Sequence, residues 1–257
     1  MENNPERPLI LISNDDGIRA AGIQALADAL VEVGDCFVVA PNEEQSGVSH
    51  AITIRHPVRA HPVPFKAGGK VLDAYAVTGT PVDCVKLAID QLLPKMPDLV
   101  VSGINQGPNA AINTIYSGTV SAALEGTILG VDAIAFSLNA WKAGDFYAGS
   151  SHIQHIVRSV LKTGLPPGVL LNVNIPDVAS EEIKGIAITR QAESRWQESF
   201  VERIDPMDKP YYWIAGQFVD LDEGEDTDLA ALRSQYISVT PIRPDLTAHD
   251  VMAKLKF

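Results

Sequence analysis

Two cysteines in 257 residues, Cys36 and Cys84, exclude a disulfide framework, and neither has partners at zinc-site spacing. Cys36 lies in an apolar, strand-like run and Cys84 in a helix-like one, the pattern of two buried thiols in a reducing compartment. Basic residues are scarce as well: 20 Lys and Arg stand against 32 Asp and Glu, a formal net charge of −12. So acidic a chain lacks the cationic surface that a nucleic-acid backbone or an anionic membrane requires of a main partner. Small anionic substrates stay compatible if a metal supplies positive charge. No stretch approaches the roughly 18 apolar residues of a membrane helix, and Met1 to Pro8 has no apolar signal core. These absences predict a soluble, cytoplasmic protein. No G-x-G-x-x-G follows the first strand, which argues against a dinucleotide fingerprint. His56, His61, His152, His155 and His249 show no metal-ligand spacing, and there is no internal repeat or low-complexity tract.

What is present is a chain that is 46% hydrophobic, enough for a full core. Leu9 to Ile12 reads as a buried strand. Ile23, Leu26, Ala27 and Leu30 share a helical face, with Gly34 in the position of a left-handed cap. Cys36 to Ala40 is a second strand halted by Pro41, completing a βαβ unit. A polar loop, Asn42 to His50, precedes a strand at Ala74 to Val77. Thr80 as N-cap and Pro81 at the first helical position start a helix through Ile89. Strands follow at 98–104 and 131–138, with a helix at 120–129 between them. A helix at 151–162 and a strand at 169–175 extend the same layers. The alternation predicts an α/β fold with a doubly wound, mostly parallel, Rossmann-like sheet. Beyond Ile183 the segments 186–190, 211–214 and 236–240 read as hairpin strands separated by polar turns and an acidic cluster from Asp220 to Asp228. The expected organisation is a catalytic domain over 1–190, a protruding hairpin arm over 191–235, and a C-terminal strand and tail over 236–257 that returns to the main domain. Uncovered hairpins need a partner surface, either the main domain or another subunit.

The chemistry concentrates where strands end. Ser13-Asn14-Asp15-Asp16-Gly17 places two adjacent carboxylates after the first strand, at the edge where α/β folds bind ligands. Two carboxylates so close repel each other without a cation, and hard oxygen ligands favour Mg²⁺ or Mn²⁺. A simple Asx turn is the competing reading. Ser46-Gly47, Ser102-Gly103-Ile104-Asn105 with Asn109, and Ser117-Gly118-Thr119 fall on the same presumed edge. Their side chains are neutral oxygen donors that complete a hard-metal shell without further negative charge. Ser117-Gly118-Thr119 precedes a helix, so its N–H groups and hydroxyls suit an anion. Taken singly, each of these is ordinary capping or turn chemistry; their joint occurrence points to a site. His50 lies near Ser46 and reads as an exposed loop histidine outside the site.

These motifs, with Val39-Ala40-Pro41, Thr78-Gly79-Thr80-Pro81, Asp83-Cys84-Val85, Gly107-Pro108-Asn109 and Tyr116-Ser117-Gly118-Thr119-Val120, resemble the SurE survival-protein nucleotidases. Asp226-Thr227-Asp228 followed by Tyr236 to Pro241 is similar to that family's C-terminal strand pattern. The resemblance implies a metal-dependent phosphomonoesterase, a 5′-nucleotidase acting on nucleoside 5′- and 3′-monophosphates and on short polyphosphate. It implies one divalent ion, Mg²⁺ or Mn²⁺, per subunit, held by Asp15, Asp16, Ser46 and Asn105. Asp15 and Asp16 would be the catalytic residues, and Asn14, Asn109, Ser117, Gly118 and Thr119 would line the phosphate pocket. It also implies a homodimer or homotetramer formed through the C-terminal arm. There are two departures: Asn42 to Gln45 lacks the arginines members often carry, and Ala110-Ala111 stands where Leu-Gly is common.

Phosphoester hydrolysis needs a nucleophile, either water activated at the metal or one Asp forming an aspartyl phosphate, and the first is favoured because an Asp committed to a metal attacks poorly. Two other classes compete. A phosphoacceptor receiver module would need an Asp at the end of the central strand, where Asn105 stands. A nucleotide-sensing stress protein would use the same pocket without turnover.

Overall fold

The computed structural model describes residues 7–142 and 144–256. Leu9–Ser13 (β1) is buried along its whole length because both faces are covered. Ile10 and Ile12 point to one side of the sheet, among Leu26, Leu30, Val101 and Phe136. Leu9 and Leu11 point to the other, among Val39, Val85, Val100 and Ala123. Alternate residues of one apolar run thus feed two cores. The first core lies under the helices Ala21–Leu30 (α1) and Ser150–Thr163 (α5); the second lies under Pro81–Leu87 (α2) and Gly118–Ile128 (α4), with the single turn Asn113–Tyr116 (α3) between α2 and α4.

The other strands are Asp35–Pro41 (β2), Ala60–Pro62 (β3), Phe65–Ala67 (β4), Lys70–Val77 (β5), Leu99–Gln106 (β6), Ala133–Asn139 (β7), Leu170–Pro176 (β8), Ile186–Ile188 (β9), Ser194–Ile204 (β10), Pro210–Asp220 (β11) and Ile237–Ile242 (β12). The main sheet runs β3-β5-β2-β1-β6-β7-β8-β12-β9, with β4 paired to β5. β5, β2, β1, β6, β7 and β8 are parallel to one another. β12 returns antiparallel to β8 and parallel to β9. The chain winds outward from β1 in one direction and from β6 in the other, so the crevice at the carboxyl ends of β1 and β6 is the switch point of this α/β sheet. The doubly wound fold read from the sequence is therefore observed, with an antiparallel hairpin, β10-β11, standing apart as its own two-stranded sheet.

Several local expectations are corrected. Gly34 is not a left-handed cap: α1 ends at Leu30 with Val31 in ordinary helical geometry. Glycine is required at 34 because a Cβ there would stand 2.5 Å from the Pro8 carbonyl oxygen. The second helix does not stop at Ile89 but loosens into a π-helical turn, Ala88–Leu92. β5 begins at Lys70 rather than Ala74, and the arm strand expected at 211–214 spans the whole of β11. The acidic cluster ends in a short helix, Asp228–Arg233 (α6), because the Thr227 hydroxyl caps it by accepting the Ala230 N–H at 3.1 Å. A final turn, His249–Met252 (α7), completes the described chain. Among the described residues no helix is long and apolar enough to cross a membrane.

Candidate active site

β1 ends in a turn that the Asn14 side chain builds. Its Nδ2 donates to the Gly17 carbonyl at 3.0 Å and its Oδ1 accepts the Gly17 N–H at 3.2 Å. The two carboxylates between them are thereby presented at the switch-point crevice. Asp15 is only 4% exposed. Burial raises its pKa, while the hydroxyl of Thr119 and the backbone amides of Thr119 and Gly118 pull the other way. Asp16 is half-buried, and its pKa is pushed up to about 6 by burial first and by the neighbouring Asp15 charge second; the Gln106 N–H, 3.4 Å away, lowers it and Glu44 raises it. Among the described residues no lysine or arginine stands with the groups that set either carboxyl. A buried carboxylate beside a half-buried one, with no described lysine or arginine among their partners, is a site that a bound cation would relieve.

The N-terminus of α4 backs directly onto Asp15. Ser117 is its N-cap, accepting the Val120 N–H at 3.0 Å. Thr119, fully buried in the first turn, donates its hydroxyl to Asp15 Oδ1. Gly118 is obligatory here: a Cβ would lie 2.8 Å from Asp15 Cβ and 2.9 Å from Oδ2. The helix end thus orients the carboxylate and favours its ionised form.

Ser46 lies exposed on the loop after β2, its hydroxyl donating to Glu44 at 2.6 Å. That loop is pinned to the site by the Gln45 N–H on the Asp15 carbonyl, 2.8 Å, and by Ser49, which donates to the carbonyls of Tyr116 and Ile115. Asn105, next to last in β6, has its amide nitrogen committed to the Gly107 carbonyl at 2.7 Å, so the atom left for a cation is Oδ1. Asn109 is buried and tied to two strands: its N–H donates to Asn174 and its carbonyl accepts from Asn172, both on β8, and its Nδ2 donates to Ser137 of β7 at 2.7 Å.

Asp15, Ser46, Asn105, Asn109 and Ser117 line one cavity of about 310 Å³. Asp16 opens on an adjoining hollow of about 430 Å³, and Ser46 and Gln106 border both. Gly118 and Thr119 stand behind Asp15 rather than on the cavity wall, and Asn14 lies beneath the turn. A larger hollow beside α2, lined by Val58, Lys86 and Leu129, shares no residue with this constellation. Among the described residues no three His, Cys, Asp or Glu converge, so the donor set is two carboxylates with neutral oxygens, which suits a hard divalent ion rather than zinc.

A family model described as survival protein SurE matches residues 10–198. The chain belongs to the SurE family. Over 253 residues it is 49% identical to a 5′-nucleotidase SurE of Christiangramia forsetii, covering 98% of this chain and 97% of the relative. A 5′-nucleotidase SurE of Chlorobium phaeobacteroides is 46% identical over 251 residues, covering 98% and 96%. The crystal structure of a SurE protein from Aquifex aeolicus superposes with a TM-score of 0.81 at 42% identity, covering 97% of this chain and 98% of that one.

Within this SurE chain the structure adds wall residues that the sequence reading passed over. Trp141 and Trp196 line the cavity that holds Asp15 and Asn105. Trp141 follows β7 and shares the carboxyl edge, so its position was a usable signal; Trp196 comes from β10 with no local signal at all. His50 is not an exposed loop residue: its Nε2 lies 2.8 Å from Oε2 of the buried Glu125, which also takes the Lys86 ammonium at 2.8 Å.

Proposed function

We propose that this chain is a metal-dependent phosphomonoesterase of the nucleotidase class, hydrolysing nucleoside 5′-monophosphates, and 3′-monophosphates as well, to nucleoside and phosphate, with short polyphosphate as a further substrate. The observation that carries the reading is the adjacent pair of buried Asp15 and half-buried Asp16, with no lysine or arginine among their described partners, bordering two adjoining hollows that share neutral oxygen donors such as Ser46 and Gln106. The names of the relatives, 5′-nucleotidase SurE, support the same activity.

The residues present fit one Mg²⁺ or Mn²⁺ per subunit, held by Asp15, Asp16, the Ser46 hydroxyl and Asn105 Oδ1. When bound, such an ion polarises a phosphoryl oxygen and supplies the positive charge this acidic chain lacks. The chain's own groups do the rest. Thr119, Gly118 and the α4 N-terminus hold Asp15 in place and favour its ionised form against the burial that opposes it. Asn109 and Ser117 present polar atoms to the phosphoryl oxygens from the cavity wall, and Asn14 holds the turn that carries both carboxylates. Thr119 and Gly118 serve the phosphate subsite through Asp15 rather than by lining it.

The free, buried state of Cys36 and Cys84 suits the cytoplasm. A small-molecule substrate, no nucleic-acid or membrane partner, and a homodimer or homotetramer joined through the arm at 191–235 complete the proposal. The test is phosphate release from a panel of nucleoside monophosphates with Mn²⁺ or Mg²⁺ and with EDTA. Release that EDTA abolishes supports a nucleotidase. Saturable binding without release overturns it in favour of a nucleotide sensor.

A further inference from the structure

The cavity at the switch point has two kinds of wall. One is the polar strand edge with Asp15, Ser46 and Asn105; the other is aromatic, from Trp141 and Trp196. Trp141 is 67% exposed, an unusual state for an indole that no folding requirement demands. It leans over Gly107, where a Cβ would stand 3.8 Å from its ring, and meets Trp196 edge to face, with centroids 6.5 Å apart and planes at 86°.

Trp196 is fixed from two sides. Its ring meets Phe218 across the β10-β11 pair at 5.5 Å and 73°, and its Nε1 donates to Asn113 Oδ1 at 2.8 Å. Asn113 Nδ2 in turn donates to the Pro108 carbonyl at 3.4 Å. The wall is therefore preorganised before any ligand enters. A rigid aromatic surface in the same cavity as Asp15 and neutral oxygen donors is an arrangement that takes a planar ring beside a phosphoryl group.

Resting on the nucleotidase reading above, we infer that Trp141 and Trp196 form the base subsite, which stacks the nucleobase and makes an aromatic base, not the sugar phosphate alone, the preferred substrate feature. The wall's chemistry also defines what it discriminates. The Trp196 N–H is already committed to Asn113 Oδ1, so the indole offers its ring face rather than a donor to a base edge. Stacking accepts every base because each has a π face. The subsite thus separates nucleotides from sugar phosphates while tolerating purines and pyrimidines alike.

The experiment compares AMP with ribose 5-phosphate, which carries the same phosphoester without a base, in the full chain with Mn²⁺ and in the variants Trp141→Ala, Trp196→Ala and Trp196→Phe. In the unaltered protein kcat/KM favours AMP, and each alanine variant reduces the AMP to ribose 5-phosphate ratio about tenfold, mainly through KM, as loss of one base stack does. Trp196→Phe retains most of the ratio. Ratios unchanged in both alanine variants overturn the proposal, as does an equal loss on both substrates in a folded protein. If neither compound releases phosphate, the hydrolytic reading fails on its own, and the same ratio is read from calorimetric Kd values. Tighter binding of AMP that the alanine variants abolish then upholds the base subsite, and equal affinities reject it.

Discussion

Thr119 donates its hydroxyl to the carboxylate of Asp15 across 104 positions of sequence, joining the first turn of α4 to the end of β1. Both groups are buried, so the bond holds Asp15 in one orientation at the switch-point crevice. Removing the hydroxyl while keeping the shape, Thr119→Val, leaves the carboxylate present but unaimed. Supporting hydrogen bonds of this kind commonly govern metal affinity by about 10- to 100-fold. We expect calorimetric Mn²⁺ affinity to fall within that range while the melting curve shifts little. Unaltered affinity would remove Thr119 from the site.

Asp15→Asn tests the carboxylate itself. Asn keeps an oxygen to accept the Thr119 hydroxyl and almost the same volume, so folding is retained, but one of only two negative donors is gone. Phosphate release should drop by at least about a hundredfold, and circular dichroism should match the parent. Parental activity in that variant would refute the metal-site assignment.

These two residues also show what could be read without a structure. Asp15 and Asp16 sit in a short apolar run followed by Asn-Asp-Asp-Gly, a local pattern whose position at a strand end follows from periodicity alone. The Thr80-Pro81-Asp83 helix start was equally local. The Thr119 partnership was not, because a hydrogen bond across 104 positions leaves no spacing to detect. Trp196 was hidden for the same reason, reaching the cavity only because the hairpin folds back beside α3. Gly34 misled because glycine serves two needs, positive φ and close approach, and sequence alone does not separate them.

At the start of α2 the Thr80 hydroxyl accepts the Asp83 N–H at 3.1 Å, the Asp83 carboxylate accepts the Thr80 N–H at 2.9 Å, and Thr80 also donates to the Ala51 carbonyl at 2.7 Å. The capping box therefore ties a helix of the second core to the loop at 51–53, where Asp83 also accepts the Thr53 N–H. Thr80→Ala should cost about 1–2 kcal/mol in denaturant titration, typical of a lost N-cap. A change within error would mean that water replaces the cap.

The thiols supply a pH prediction. Burial pushes Cys36 up to about 12 and holds Cys84 well above the ordinary thiol value. A raised thiol pKa disfavours the reactive thiolate, so at about pH 8 roughly one Cys36 in ten thousand is ionised. Iodoacetamide at that pH should leave the native protein unmodified by mass spectrometry and label both cysteines once guanidinium unfolds the chain. Rapid labelling of either native thiol would contradict the burial.

The hairpin gives the last prediction. Among the described residues β10 and β11 pair only with each other, yet Phe200, Trp213 and Ile214 along them are largely exposed, with Phe200 directly opposite Ile214. A two-stranded ribbon with bare aromatic faces is marginal by itself, and the proposed assembly would cover it. The second copy is the natural partner, since an identical ribbon offers matching apolar faces. Deleting all of 191–235 would be a poor test, because Asp228 accepts the N–H groups of Ala111 and Ala192 and Trp196 walls the cavity. Replacing only residues 198–216 with a short glycine turn spares both. Light scattering should then report a smaller assembly than the full chain, with the Mn²⁺ site retained by calorimetry. An unchanged assembly size would show that the subunits meet elsewhere, and loss of the metal site together with the assembly would show that the arm supports each subunit's fold rather than only joining them.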